Sequence, residues 1–312
     1  VNIGEKPEDP VFGVSDLLIH LAGEQMEKKA SKVIEGENLD LLVGSIPAAS
    51  DDEKEKKEMK DRVKANILNI LSKEYGVDEE DFLSAEIEVV PAGAARDYGF
   101  DRSMIMGYGH DDRVCAYPSF AAMLEIEKPQ HTSVCLLVDK EEIGSVGATG
   151  MQSRFFENSV AELMDAMGEF SELSLRRCLA NSSMLSSDVN AAYDPLFANA
   201  FEKNNASYFG RGVVFSKFTG SRGKSGSNDA NAEYIARIRK MMDKNEVCFQ
   251  TAELGKVDVG GGGTIAYILS LYGMEVIDCG VAVLNMHAPW EITSKADIYE
   301  AYKCYKVFLK EA

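Results

Sequence analysis

Apolar positions recur in two different rhythms along the chain, and the rhythm changes near Pro91. Before it, helical spacing dominates. Residues 15–30 open on a capping serine and place Leu17, Leu18 and Leu21 on one face, which predicts a helix. A second helix is predicted over about 50–75, where Val63, Ile67 and Ile70 form the apolar stripe. Residues 85–90, AEIEVV, alternate like a half-buried strand. Beyond Phe100 the pattern is strand, loop and helix in repetition. Strands are predicted at 133–139, 182–189, 211–218, 246–252 and 274–285, and helices at 113–128, 158–170, 228–243, 264–273 and 295–310. This alternation predicts an α/β fold, a three-layer helix-sheet-helix domain with a mixed sheet, and in such sheets ligands sit beyond the carboxyl ends of the strands.

Composition narrows the function. The 312 residues carry 33 basic and 51 acidic groups, a formal charge of −18, with 45% hydrophobic positions. Nucleic-acid binding needs clustered Lys and Arg to release counterions, so a nucleic acid is excluded as the main partner. Apolar runs fall short of the roughly 18 residues of a membrane helix, and no signal-like segment opens the chain, so no membrane partner is expected. Residues 51–60, charged at nine of ten positions, read as a solvated helix face. Six scattered cysteines without a CxxC pair read as reduced thiols of a cytoplasmic protein.

The candidate chemistry lies at strand ends. GYGHDDR (107–113) places Asp111 and Asp112 in a glycine-rich loop, and VDKEEIGS (138–145) places Glu141 and Glu142 just past an apolar run. SSMLSSDV ends in Asp188, and His287 follows the strand of VAVLNMHAPW. Each has an ordinary reading alone: Asp111 as a helix cap, Glu142 as a loop charge, Asp188 as a turn former, His287 as a hydrogen-bonded loop residue. Together, three carboxylates and an imidazole beside an unused glutamate are the donor set of a hydrolytic zinc site.

The ordered motifs IHL (19–21), GYGHDDRV (107–114), DKEEIGS (139–145), SSD (186–188), GGGGTI (260–265) and NMHAPWE (285–291) span nearly the whole chain. In them the sequence resembles the dinuclear zinc aminopeptidases that include aspartyl aminopeptidase and the yeast vacuolar aminopeptidase. The resemblance implies release of amino-terminal residues from a peptide substrate, with two Zn²⁺ per subunit or other divalent metals in their place. It implies that Asp111 bridges the metals, that Glu142 and His287 bind one and Asp188 the other, and that Glu141 is the general base. It further implies a homo-oligomer, a dodecamer built from dimers, with His20 placed in a neighbouring subunit's active site.

The family also carries a further metal-binding histidine that no motif here supplies, and the chain opens on Val1. The resemblance therefore implies that an N-terminal portion of about a hundred or more residues precedes this sequence. Residues 1–93 would then be part of an insertion, or dimerisation, domain, and 94–312 the larger part of the catalytic domain. A non-catalytic binding or assembly protein on the same fold is the alternative that the missing histidine raises.

Two features bear on substrate. Lys217, Arg222 and Lys224 form the one basic group at the ligand-bearing sheet edge, which slightly favours acidic amino-terminal residues over neutral ones such as leucine. The glycine run that includes Gly262 and Gly263 offers backbone amides to a substrate carbonyl, or simply makes a tight turn. GSRGKSGS (220–227) approaches a phosphate-binding loop, but Phe218 stands where that motif needs glycine, which leaves a nucleotide enzyme as a weak third reading.

Overall fold

The computed structural model describes residues 1–49, 61–220, 226–262 and 264–312, which form two compact units, Val1–Ala94 and Ala95–Ala312. The smaller unit contains short elements: α1 (Gly23–Met26), α2 (Arg62–Ile70) and several 3-10 turns. Asp61 caps α2 by accepting from the Lys64 amide at 3.2 Å, and the helix runs on as a single wide turn to Tyr75, closed by left-handed Gly76. The helix expected over 15–30 reduces to the four residues of α1. Leu17, Leu18 and Leu21 are 51–70% exposed, so the apolar stripe lacks the packing that would hold a helix. Residues 85–90 form no strand, and the charged run 51–60 lies outside the described residues.

The larger unit begins with the hairpin β1 (Arg96–Tyr98) and β2 (Met104–Gly107), followed by α3 (His110–Leu124). Helices α4 (Phe155–Ala166) and α5 (Glu172–Ala180) lead into β3 (Ser183–Ser187) and β4 (Asn190–Ala191). Then come β5 (Val213–Ser216), α6 (Ala232–Lys244), β6 (Phe249–Thr251) and α7 (Ala266–Ser270). The chain finishes with β7 (Glu275–Gly280), β8 (Ala282–Leu284), β9 (Glu291–Ser294) and α8 (Lys295–Glu311). The α/β reading with mixed sheets is borne out, but the strands form two sheets: β1-β2-β9-β8-β4 and β3-β7-β5-β6.

Strand β7 shows why the layers form. Successive side chains point to opposite faces of a strand, and here Val276 packs into the core of Leu175, Leu179 and Leu269 while Ile277 packs into that of Val213, Ile238 and Cys304. A strand buried on both sides reads as a continuous apolar run, which is how 274–285 appears in the sequence. That run is two strands, however. Past Gly280 and Val281 it changes sheets, and the neighbouring chain does the same between β3 and β4, with β3 parallel to β7 and β4 parallel to β8.

Residues 133–139, expected as a strand, make only an isolated bridge between Asp139 and Gly150. Leu136 and Val138 pack against the second core, whereas Val134 and Leu137 are more than half exposed. The alternation is present without a partner ladder. Among the described residues, no helix is long and apolar enough to cross a membrane.

Candidate metal centre

The four ligand candidates converge where the chain changes sheets. Asp188 follows β3 and keeps the ladder going by one residue, its amide donating to the Cys279 carbonyl at 3.0 Å. A methyl group on Gly280 would lie 1.7 Å from the Asp188 carbonyl oxygen, so only glycine there lets β7 approach this end of β3. Asp111 sits in the first turn of α3 with non-helical backbone angles. Glu141 and Glu142 open a 3-10 turn between left-handed Lys140 and Gly144. His287 lies between β8 and β9 with φ of 65°, in a region that non-glycine residues seldom occupy.

His287 Nε2 stands 3.1 Å from Asp111 Oδ2 and 3.2 Å from Glu142 Oε1. A second group, Asp111, Asp112 and Asp188, also brings three donor atoms within 4.8 Å of one another. Both groups contain Asp111. Glu141 belongs to neither, although it adjoins Glu142 in sequence.

Electrostatics make this cluster costly without a cation. Burial, and then the Glu142 carboxylate, push Asp111 up to about 6, with His287 opposing. Burial pushes Asp188 and Asp112 well above the ordinary carboxylate range; neighbouring carboxylates add to it, Asp112 and Asp111 at Asp188, and Asp111 and Glu141 at Asp112. Glu141 is raised by burial and by Glu142 and Asp111. One oxygen of Asp112, Oδ1, is buried without a hydrogen-bond partner among the described residues. Crowded hard oxygen donors, one imidazole and an orphaned buried carboxylate oxygen fit a divalent cation such as zinc.

Two residues to which the sequence reading gave no role at the metals also belong to the cluster. Asp112 joins the Asp111–Asp188 group rather than serving only the loop. Glu291, 2% exposed, accepts from the Asp111 amide at 3.0 Å and from the His287 amide at 2.9 Å, fastening two ligand-bearing backbones that are 176 residues apart. The signals were the doubled aspartate of GYGHDDR and the last residue of NMHAPWE.

Residues 1–309 match the family described as Aminopeptidase I zinc metalloprotease (M18). The chain belongs to the M18 peptidase family. It is 65% identical over 309 residues to the probable M18 family aminopeptidase 1 of Clostridium acetobutylicum, covering 99% of this chain and 65% of that protein. The chain therefore spans somewhat less than two thirds of that relative's length. The crystal structure of aminopeptidase I from the same organism superposes with a TM-score of 0.88 over 99% of this chain and 65% of that one, at 64% identity. The M18 aminopeptidase of Thermotoga maritima superposes at 0.92, with 46% identity over the whole of this chain and 67% of the other. A dodecameric yeast structure, S. cerevisiae mApe1, shares the fold at 23% identity and a TM-score of 0.66, covering 88% of this chain and 60% of that one.

Other expected site residues fall elsewhere in this M18 chain. His20 is exposed in a turn of the smaller unit. Lys217 pairs with Asp229, donates to the Ala230 carbonyl at 2.9 Å and lies over the Phe218 ring. Gly262 accepts from the Gly220 amide at 2.8 Å and lines a cavity that Asp188 also lines. Arg222, Lys224 and Gly263 lie outside the described residues. His110 is buried with Nε2 3.2 Å from the Ile105 carbonyl, apart from both ligand groups.

Proposed function

We propose that this chain is a zinc aminopeptidase that removes amino-terminal residues from peptides, with Asp111, Glu142, Asp188 and His287 as ligands. The observation that carries the reading is the pair of donor groups meeting at Asp111. A shared carboxylate is what two ions per subunit require, and the family's description as a zinc metalloprotease supports the choice of metal. Once bound, the ions would acidify an attacking water and polarise the scissile carbonyl.

The chain's own residues supply the rest. Glu141, outside both donor groups and half-buried, would take the water's proton and return it to the departing amine. Its raised affinity for protons suits that task, since a base must hold the proton between the two transfers. The free amino terminus of the substrate would coordinate or pair with this acidic cluster, which favours chain ends over internal peptide bonds. Gly262, Gly263, Lys217 and Lys224 belong to the substrate-binding side of this reading.

The assembly is part of the same proposal. Residues 1–93 would serve in dimerisation, the dimers would build a dodecamer as in the yeast structure, and His20 would act in a neighbouring subunit's site. Six free cysteines support a cytoplasmic setting. A non-catalytic assembly role is less well supported, because an assembly surface has no need for carboxylates crowded within ligand distance of one another.

The test is hydrolysis of aminoacyl para-nitroanilides and of their N-acetylated forms by metal-depleted and zinc-restored protein. Zinc-dependent release from free amino ends alone supports the reading. Equal cleavage of the acetylated forms, or no cleavage with zinc bound, overturns it.

A further inference from the structure

The cavity beside the metal centre is about 210 Å³, room for several water molecules or one long side chain. It shares Asp188 with the ligand cluster, so whatever fills it lies next to the reacting bond. Its wall changes character with depth. Phe218 and Val257 are 49% and 77% exposed at the rim, and Val214 and Leu254 add apolar surface. Asp278 lies in the interior, 5% exposed.

Asp278 is the unusual member. Among the described residues neither of its carboxylate oxygens has a hydrogen-bond partner. Thr219 and Thr264 stand near and favour its charged form, without closing a hydrogen bond. Glu253 lines the same cavity and spends one oxygen on a long contact from the Phe218 amide, 3.4 Å. A buried carboxyl whose hydrogen bonds are left unmade costs on the order of 1–3 kcal/mol, so Asp278 is a ready acceptor for a donor brought by a ligand, a water or an ion.

We propose that this cavity receives the side chain of the substrate's leading residue, and that Asp278 and Glu253 select a cationic one, lysine or arginine. The inference rests on the aminopeptidase reading and names its substrate class. A lysine side chain matches the wall in order: methylenes against the apolar rim, then an ammonium at the carboxyls. An acidic side chain would meet the same two carboxyls, with Lys256 the one cation among the described residues of the wall to answer them. Of the group Lys217, Arg222 and Lys224, from which an acidic preference was expected, Lys217 is engaged by Asp229 and Ala230, and Arg222 and Lys224 lie outside the described residues. Burial holds both Asp278 and Glu253 up to about 7, and a bound cation would return them to the charged form.

The test compares kcat/KM for Lys-, Arg-, Leu- and Asp-para-nitroanilides on the zinc-loaded protein. In parallel, the metal-depleted protein is titrated calorimetrically with lysine amide and leucine amide. A charged hydrogen bond of the usual strength predicts Lys and Arg ahead of Leu by about 10- to 100-fold, with Asp last. The Lys-to-Leu ratio should fall about tenfold or more in Asp278→Asn and should fall in Glu253→Gln, and lysine amide should bind more tightly than leucine amide until Asp278 is replaced. A wild type that prefers Leu or Asp, or a ratio unchanged in both variants, overturns the proposal. Absence of hydrolysis of all four substrates would instead count against the aminopeptidase reading, and the amide titration would then decide the cavity's preference by itself.

Discussion

Replacing Glu291 by glutamine is the sharpest probe of how the ligands are held. Both Glu291 oxygens are committed, Oε2 to the Asp111 amide at 3.0 Å and Oε1 to the His287 amide at 2.9 Å, in a pocket where the residue is 2% exposed. Glutamine retains one acceptor and turns the other position into a donor, so one backbone N–H would face another N–H. Hydrogen bonds to a charged acceptor contribute about 1.5–3 kcal/mol each, and one of the two must be lost. His287 holds a left-handed backbone that this bond helps to fix, so its ring should wander most. Loss of a group that orients metal ligands commonly lowers metal affinity about 10- to 100-fold. We expect that loss in Glu291→Gln when zinc affinity is measured by competition with a chromophoric chelator, together with about 1–3 kcal/mol lower stability of the metal-free protein in a denaturant titration. Glu291→Asp, which keeps the charge but shortens the reach, should fall between wild type and Glu291→Gln. Zinc affinity within twofold of wild type in a folded Glu291→Gln protein would show that these two bonds do not hold the site.

Asp111→Ala removes the residue common to both donor groups, so metal analysis should find both ions lost, and retention of two would place the bridge elsewhere. Asp278 tests the electrostatics through pH. Burial raises its carboxyl to about 7, so the folded protein keeps a proton that the unfolded chain releases near pH 4. The folded state then binds more protons across that window, and stability falls as pH rises through it. Asp278→Asn lacks this penalty: in denaturant titrations of metal-free protein its stability relative to wild type should grow from pH 4 to 7 and level off, by up to about 4 kcal/mol. A difference independent of pH would mean that Asp278 is not held neutral. Ile277→Ala, at a side chain 1% exposed between β7 and its helices, should cost about 2–5 kcal/mol of unfolding free energy, and a cost below 1 kcal/mol would mean the two-sided core is loosely packed.

The parts of the fold legible in the sequence were those whose burial is local to the chain. Helices α3, α6 and α8 and strands β3, β5 and β7 lie where their patterns predict, because each carries its own apolar face. Patterns that depend on a distant partner misled. Residues 133–139 alternate correctly but have no regular ladder, and the stripe around Leu17 and Leu18 has nothing packed on it. The switch of sheets after Gly280 is invisible in an unbroken apolar run, because the signal is the missing Cβ and not hydrophobicity. At the site, Asp111, Glu142, Asp188 and His287 were named from their motifs, and the structure brings their donor atoms into two groups that share Asp111. Asp112, named only as a loop residue, and Glu291, named only within its motif, were given no role, because their places in the cluster depend on backbones brought together from opposite ends of the larger unit.

The measurement that bears most directly on the reading is turnover and zinc content in Glu141→Gln. Glu141 stands beside the donor groups without joining them, so its amide should leave the metal in place while removing the proton acceptor. Wild-type zinc content with kcat lower by about 10²- to 10⁴-fold is the predicted result. Near-normal turnover with full zinc, or loss of zinc together with activity, would contradict it.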